Sequence, residues 1–166
     1  MAKKTKMKKT LVEQILTKAE IPHQGLQLNA LEDQELPACN RSKIYKTLAL
    51  KGDKTGTVIG ILPITEHLSE KKLAKISGNK KVSMIPQKDL EKTTGYIHGA
   101  NNPVGIRQKH SFPIYIDQQA LTEDRIIVSA GEVGRSIAIQ AQELADFVQA
   151  SFADLKEERQ ESPISY

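Results

Sequence analysis

The strongest constraint on this chain is a strand-turn-strand pattern. The run Lys43-Ile44-Tyr45-Lys46-Thr47-Leu48-Ala49-Leu50 is followed by the turn signal Gly52-Asp53-Lys54-Thr55-Gly56 and a second run from Thr57 to Leu62. Two such runs around a glycine-bounded turn predict a hairpin. Residues two apart in a strand share a face. Ile44, Leu48 and Leu50 therefore share theirs with Lys46, while Tyr45, Thr47 and Ala49 point the other way. An ammonium on an apolar face is costly unless it has a partner, a route to water or an anionic ligand. The ordinary alternative is a lysine whose stem covers apolar surface while its head reaches solvent, and spacing alone favours that alternative.

The rest of the chain sets the frame around the hairpin. Met1 to Lys9 carries Lys3, Lys4, Lys6, Lys8 and Lys9 and reads as a basic arm. It is either a solvated tail or an electrostatic contact to nucleic-acid phosphate. Thr10 and Glu13 have capping-box spacing, and Leu11, Val12, Ile15, Leu16 and Ala19 make one apolar stripe, so a helix is predicted, ended by Pro22. Gln24 to Leu31 reads as extended, and Glu32 to Ser42, with Pro37, is poorly determined.

After the hairpin, Ser69 caps a predicted short helix through Ile76, with Leu73 and Ile76 inward and Gly78-Asn79 as its stop. Val82 to Ile85 is a short strand, and Pro86 sits in the first turn of a helix through about Lys92. Gly95 to Gly105 reads as a loop and Phe112 to Ile116 as a strand. Arg125 to Ser129 is apolar on both faces and is placed centrally in the sheet, followed by a Ser129-Ala130-Gly131 turn. Ser136 to Ile139 is a last strand, and Gln140 to Phe152 a closing helix with Ala141, Leu144, Ala145, Val148 and Phe152 buried. Helices do not alternate regularly with strands, which predicts an α+β fold with a mixed sheet.

At 166 residues the chain fits one domain. The expected boundaries are a basic arm over 1–9, a domain over 10–155 and a charged tail over 156–166. With no Trp and 4% aromatics, the core must be built from Ile, Leu, Val and Ala. The net charge of +4 is compatible with a polyanionic partner. A single cysteine, Cys39, excludes an intramolecular disulfide framework, and no apolar run is long enough for a membrane span or secretory signal. A cytoplasmic protein without a membrane partner is the expectation.

Ordinary catalytic motifs are missing. His23, His67, His98 and His110 are scattered with no HxxxH or CxxC spacing, so no metal or other cofactor is expected. Cys39 has no histidine beside it in sequence, Ser129 lacks a G-x-S-x-G elbow, and Gly52 to Gly56 lacks P-loop spacing. Two loops remain: Gly99 to Gly105, and Ser129 to Gly134 at the end of a strand. Each can bind a carbonyl or ribose through its main chain, or can be plain turn chemistry.

Five segments occur together in order: Tyr45-Lys46-Thr47-Leu48; Thr94-Gly95-Tyr96; Gly99-x-x-x-Pro103-x-Gly105; Pro113-Ile114-Tyr115-Ile116-Asp117; and Val128-Ser129-x-Gly131-x-x-Gly134. This pattern resembles the YbaK/EbsC family of free-standing aminoacyl-tRNA deacylases, relatives of the editing insertion domain of bacterial prolyl-tRNA synthetases. The match runs from about Ile44 to Phe152. The resemblance implies a single compact α+β domain around a mixed, partly barrel-like sheet with flanking helices. It implies hydrolysis of the ester joining a wrong amino acid to proline tRNA, with Cys-tRNA(Pro) the usual substrate of the YbaK branch. The expected catalytic residues are Lys46, Gly99 and Gly131, and the expected substrate-binding residues are Tyr45, Thr47, Asn101, Pro103, Ser129 and Ala130. Lys46 would hold the tRNA end, backbone N–H groups near Gly99 would stabilise the oxyanion, and the substrate's own thiol would attack the ester.

Two departures stand out. Residues 1–44 contain no aromatic to serve as the family's upstream pocket residue, and Ala130 replaces a frequent glycine. The alternatives are therefore a deacylase for Ala-tRNA(Pro) or another small residue, or a non-catalytic domain that binds tRNA or a synthetase. Aminoacylated tRNA and, beyond it, prolyl-tRNA synthetase are the partners the resemblance implies.

Overall fold

The hairpin is the spine of the structure. In the computed structural model, which describes residues 8–27 and 42–158, β2 (Tyr45–Gly52) pairs antiparallel with β3 (Gly56–Pro63), with Lys46 opposite Leu62 and Gly52 opposite Gly56. Both faces of β2 are covered. Tyr45 and Ala49 enter the larger core with Ile59 and Ile61, whereas Leu48 and Leu50 join a second cluster around Val58, Leu73 and Leu155. Fully burying each large aliphatic contributes about 1.5–3 kcal/mol, which is why an aliphatic core suffices where aromatics are scarce.

The hairpin grows into a mixed five-stranded sheet. On one side β2 pairs with β4 (Val82–Met84); on the other β3 pairs parallel with β5 (Ile114–Asp117), which pairs parallel with β8 (Ser151–Ala153). A second, antiparallel sheet has the order β1 (His23–Gln27), β7 (Arg135–Gln140), β6 (Arg125–Glu132). A parallel bridge between Ile44 and Ile127 joins the two sheets. The result is a mixed α+β fold.

Six helices are described around these sheets: α1 (Leu11–Lys18), α2 (Glu70–Ser77), α3 (Gln87–Thr94), α4 (Pro103–Lys109), α5 (Ala120–Glu123) and α6 (Ala141–Val148). Thr10 caps α1 by accepting from the Glu13 N–H at 3.2 Å, and Ser69 caps α2 by accepting from Lys72 at 3.1 Å. Among the described residues, no helix is long and apolar enough to cross a membrane.

Several sequence expectations give way here. Leu11 and Ile76 point outward, at 61% and 40% exposure, while Glu13 and Ala74 are buried in their helices. The stretch Gly95 to Gly105 is not all loop: Asn102 accepts from the Gly105 N–H at 2.6 Å and Pro103 opens α4. The closing helix stops at Val148 because Gln149 takes a left-handed conformation (φ 57°) and Ala150 N–H donates to Ala145 O; Phe152 belongs to β8. β6 is an edge strand, with β7 central, and its apolar faces are filled by packing and by the bridge to Ile44. Ser129 to Gly131 is a bulged part of β6, and the chain reverses at Val133-Gly134. Lys3, Lys4, Lys6, Leu28 to Leu31, Pro37, Cys39 and the tail from residue 159 lie outside the described residues.

Candidate active site

The register of the hairpin decides where the backbone of β2 points. Ile44 O accepts from Ile64 N–H at 2.9 Å, so the even residues bond towards β3. Tyr45, Thr47 and Ala49 therefore turn their N–H and C=O groups to the opposite edge. There β4 covers only Leu50 to Gly52. Ala49 O takes Ile85 N–H at 3.1 Å, and Thr47 O takes the Asn101 Nδ2 at 3.1 Å.

A cleft of about 360 Å³ lies along this edge. Its floor is Ile44 to Ala49. One wall comes from Met84, Ile85, Gln87 and Leu90 with the loop residues His98, Gly99 and Asn101; the other comes from Val128, Ser129, Gly134, Arg135 and Ser136. No carboxylate lines it among the described residues, whereas Lys46 and Arg135 do.

Lys46 has the partner that its position demands. Its Nζ donates to Glu66 O at 2.6 Å, on the turn after β3 closed by Glu66 N–H to Pro63 O. Burial lowers the Lys46 pKa below that of a free lysine, and the Glu66 charge pulls it partly back. A cation held by one neutral carbonyl at a cleft keeps donors for an anionic or polar ligand.

The Gly99 loop is built by two adjacent asparagines with different tasks. Asn102 is fully buried, caps α4 and donates to Ala100 O at 3.0 Å. Asn101 turns to the cleft. Only its NH2 can face the Thr47 carbonyl, so the amide orientation is fixed and Oδ1 faces away from that bond. Ser129 ties this loop to β6: its Oγ donates to Gly99 O at 3.4 Å and accepts from Gly131 N–H at 3.2 Å. Gly99 and Gly131 both have positive φ (89° and 92°), the region that glycine enters without steric cost.

The polar accounting of the cleft is incomplete in a patterned way. Four buried side-chain atoms have no hydrogen-bond partner among the described residues: Tyr45 Oη, Thr47 Oγ1, Asn101 Oδ1 and Arg135 Nε. All four residues contribute to the cleft lining, but the Tyr45 phenol lies in the core near Glu123 and Asp117, which do not line it, so only the other three atoms are candidates for a ligand. Burying such a group unpaired costs about 1–3 kcal/mol, a cost accepted at sites where a ligand completes the set. Burial, then the charges of Glu123 and Asp117, push the Tyr45 phenol well above the usual range, so it is a neutral donor.

The nine expected site residues divide. Tyr45, Lys46, Thr47, Gly99, Asn101 and Ser129 line the cleft; Pro103, Ala130 and Gly131 do not. Pro103 and Ala130 are buried, and the Gly131 N–H is engaged by Ser129. Sequence reasoning missed Arg135 and His98 as lining residues and Glu66 as the anchor of Lys46. Arg135 follows the Gly134 motif and His98 precedes Gly99, so proximity to those motifs was the available signal. Among the described residues, no group of three His, Cys, Asp or Glu side chains is placed to hold a metal ion.

The profile of the aminoacyl-tRNA editing domain matches residues 29–147. A protein of Enterococcus faecalis (strain ATCC 700802 / V583), named "Putative Cys-tRNA(Pro)/Cys-tRNA(Cys) deacylase EbsC", is 36% identical over 162 residues, covering 93% of this chain and 98% of its own. Among solved structures, one described as a "putative trans-editing enzyme for prolyl tRNA synthetase" superposes with a TM-score of 0.69 at 21% identity, over 89% of this chain and 95% of its own. Another, of a hypothetical protein, has a TM-score of 0.78 at 20% identity, over 88% and 99%.

Proposed function

The chain belongs to the aminoacyl-tRNA editing domain family, and from that premise we propose that it is a free-standing deacylase of mischarged proline tRNA, with Cys-tRNA(Pro) as its main substrate. The observation that carries the cysteinyl substrate is the similarity, over 93% of this chain, to the Enterococcus faecalis relative, whose name gives both Cys-tRNA(Pro) and Cys-tRNA(Cys).

The chemistry is the one that the resemblance to the YbaK branch implies, and the cleft lining supports it. Among the described residues, Ser129 at the cleft has its hydroxyl bonded to backbone on both sides and is not poised as a nucleophile. The substrate supplies the nucleophile instead. The cysteinyl thiol sulfur bonds to the ester carbonyl carbon, the carbon–oxygen bond to the ribose breaks, and the thiol proton ends on the departing ribose oxygen. Water then opens the thiolactone to free cysteine. The protein's task is placement. Lys46 holds the ribose or terminal phosphate, and the main chain near Gly99 faces the carbonyl oxygen as negative charge develops. Asn101 Oδ1 and Thr47 Oγ1 complete their hydrogen bonds with the aminoacyl end.

A deacylation time course with Cys-, Ala- and Pro-tRNA(Pro) separates the readings. Fastest loss of the cysteinyl ester supports the proposal, and fastest loss of the alanyl ester moves the substrate to a smaller residue. Retention of all three esters, under conditions where the tRNA still binds, leaves a non-catalytic binding domain.

A further inference from the structure

One ion pair is built into the wall of the cleft, and the proposed reaction does not use it. Arg135, the first residue of β7, lines the cleft and donates from Nη2 to Glu13 Oε1 at 3.1 Å and to Lys8 O at 2.9 Å. The side chains of the pair are 15% and 8% exposed. Glu13 stands at the capping-box position of α1, with its N–H taken by Thr10 Oγ1, and its carboxylate is turned to Arg135. Gly25 of β1 makes the room: a Cβ there would stand 3.0 Å from Glu13 Oε2, and a side chain would press on the carboxylate. Three elements distant in sequence, α1, β1 and β7, thus fix one guanidinium at the cleft.

Stability does not account for this arrangement, because a buried ion pair is often matched or bettered by apolar residues of similar volume. Nor is the guanidinium saturated. It carries five N–H donors; Nη2 makes the two bonds above, and the buried Nε has no partner among the described residues. The cleft lining around it holds Lys46 and, among the described residues, no carboxylate.

We propose that Arg135 binds the phosphate on the 5′ side of the RNA's terminal nucleotide, the one whose ribose carries the ester, with Glu13 as its positioning residue. This rests on the editing function proposed above. In that nucleotide the ester hangs from the 2′ or 3′ oxygen and the phosphate from the 5′ carbon, so a cleft that holds the ester meets the phosphate one ribose away. A planar fork with free donors fits phosphate oxygens better than a point charge does. Lys46 is then left for the ribose.

Adenosine and adenosine 5′-monophosphate differ only in that phosphate and serve as probes by calorimetric or NMR titration. Wild type should bind the monophosphate roughly tenfold more tightly than adenosine. Arg135→Leu should erase most of that difference and leave adenosine affinity within about twofold. On full-length Cys-tRNA(Pro) near 0.1 M salt its KM should rise roughly tenfold, and a plot of log affinity against log salt should be shallower by about 0.7, the value for one phosphate on a single strand. Arg135→Lys, which keeps the charge, should keep the slope. Arg135→Leu strands the buried Glu13 carboxylate, so Glu13→Gln/Arg135→Leu is measured beside Glu13→Gln and should show the same loss. Equal binding of the two probes by wild type overturns the proposal, as does an undiminished preference in the Leu variants. An equal loss for both probes overturns it too, because it places the effect in the shape of the cleft. An Arg135-dependent preference for the monophosphate with no ester hydrolysed keeps the phosphate contact and removes the editing function. Hydrolysis with wild-type KM and slope in the Leu variants keeps the editing function and removes the contact.

Discussion

Two buried asparagines stitch the β2–β3 hairpin to its surroundings, and they are treated differently. Asn79, 8% exposed, serves the turn end. Its Oδ1 accepts from Lys54 and Thr55 N–H at 2.8 and 3.0 Å, and its Nδ2 donates to Thr55 Oγ1 and Ser77 Oγ at 2.9 and 2.8 Å. Asn101, 7% exposed, serves the cleft; it donates to Thr47 O, and its Oδ1 has no partner among the described residues. The same side chain is saturated where it holds the fold and left open where a ligand can finish the job. Polar groups that are all satisfied stabilise and rigidify; partly satisfied ones carry a cost that binding relieves.

The contrast can be broken at either end. The largest effect is expected at Lys46: Lys46→Ala should lower deacylation of Cys-tRNA(Pro) about 100-fold, the scale of a misplaced substrate, with thermal unfolding little changed. Wild-type rates in that variant would remove Lys46 from the account. Next comes Asn79→Ala, which strands two turn N–H groups and should cost about 2–3 kcal/mol in denaturant unfolding, with activity per folded molecule kept. Asn101→Ala should do the reverse: about tenfold off kcat/KM, and less than about 1 kcal/mol of stability. If both asparagine variants lose stability alike and activity alike, the contrast is wrong.

The smallest effect is in the pH dependence. Burial, opposed by Glu66, sets the Lys46 pKa in the folded protein below its unfolded value near 10.5. The unfolded chain then binds more protons in the range just below 10.5, so stability rises with pH there. Lys46→Met should flatten that rise in unfolding curves collected from neutral to alkaline pH.

Local signals carried much of this structure. Thr10 and Ser69 marked helix starts, and the Gly52–Gly56 turn fixed the hairpin. What failed was local logic overruled from outside or hidden by composition. The Asn102-Pro103 pair is a good helix start, yet α4 is only seven residues long and sits in a Gly- and Asn-rich stretch. Phe152 follows Val148 at helical spacing, but Gln149 turns left-handed and sends it into β8. The anchor of Lys46 is a main-chain carbonyl twenty residues away, and backbone acceptors leave no mark in a sequence. Arg135 reaches the cleft through β7, whose central place between β1 and β6 depends on pairings distant in the chain.

In the proposed reaction the protein places the ester and the substrate supplies the nucleophile. It is tested most directly by comparing deacylation of Cys-tRNA(Pro) with that of 2-aminobutyryl-tRNA(Pro), in which a methyl group replaces the thiol at nearly the same size. With the substrate's thiol as nucleophile, the cysteinyl ester is lost rapidly and the 2-aminobutyryl ester persists. Equal rates for the two would contradict this mechanism and point to attack by water or by a group of the protein.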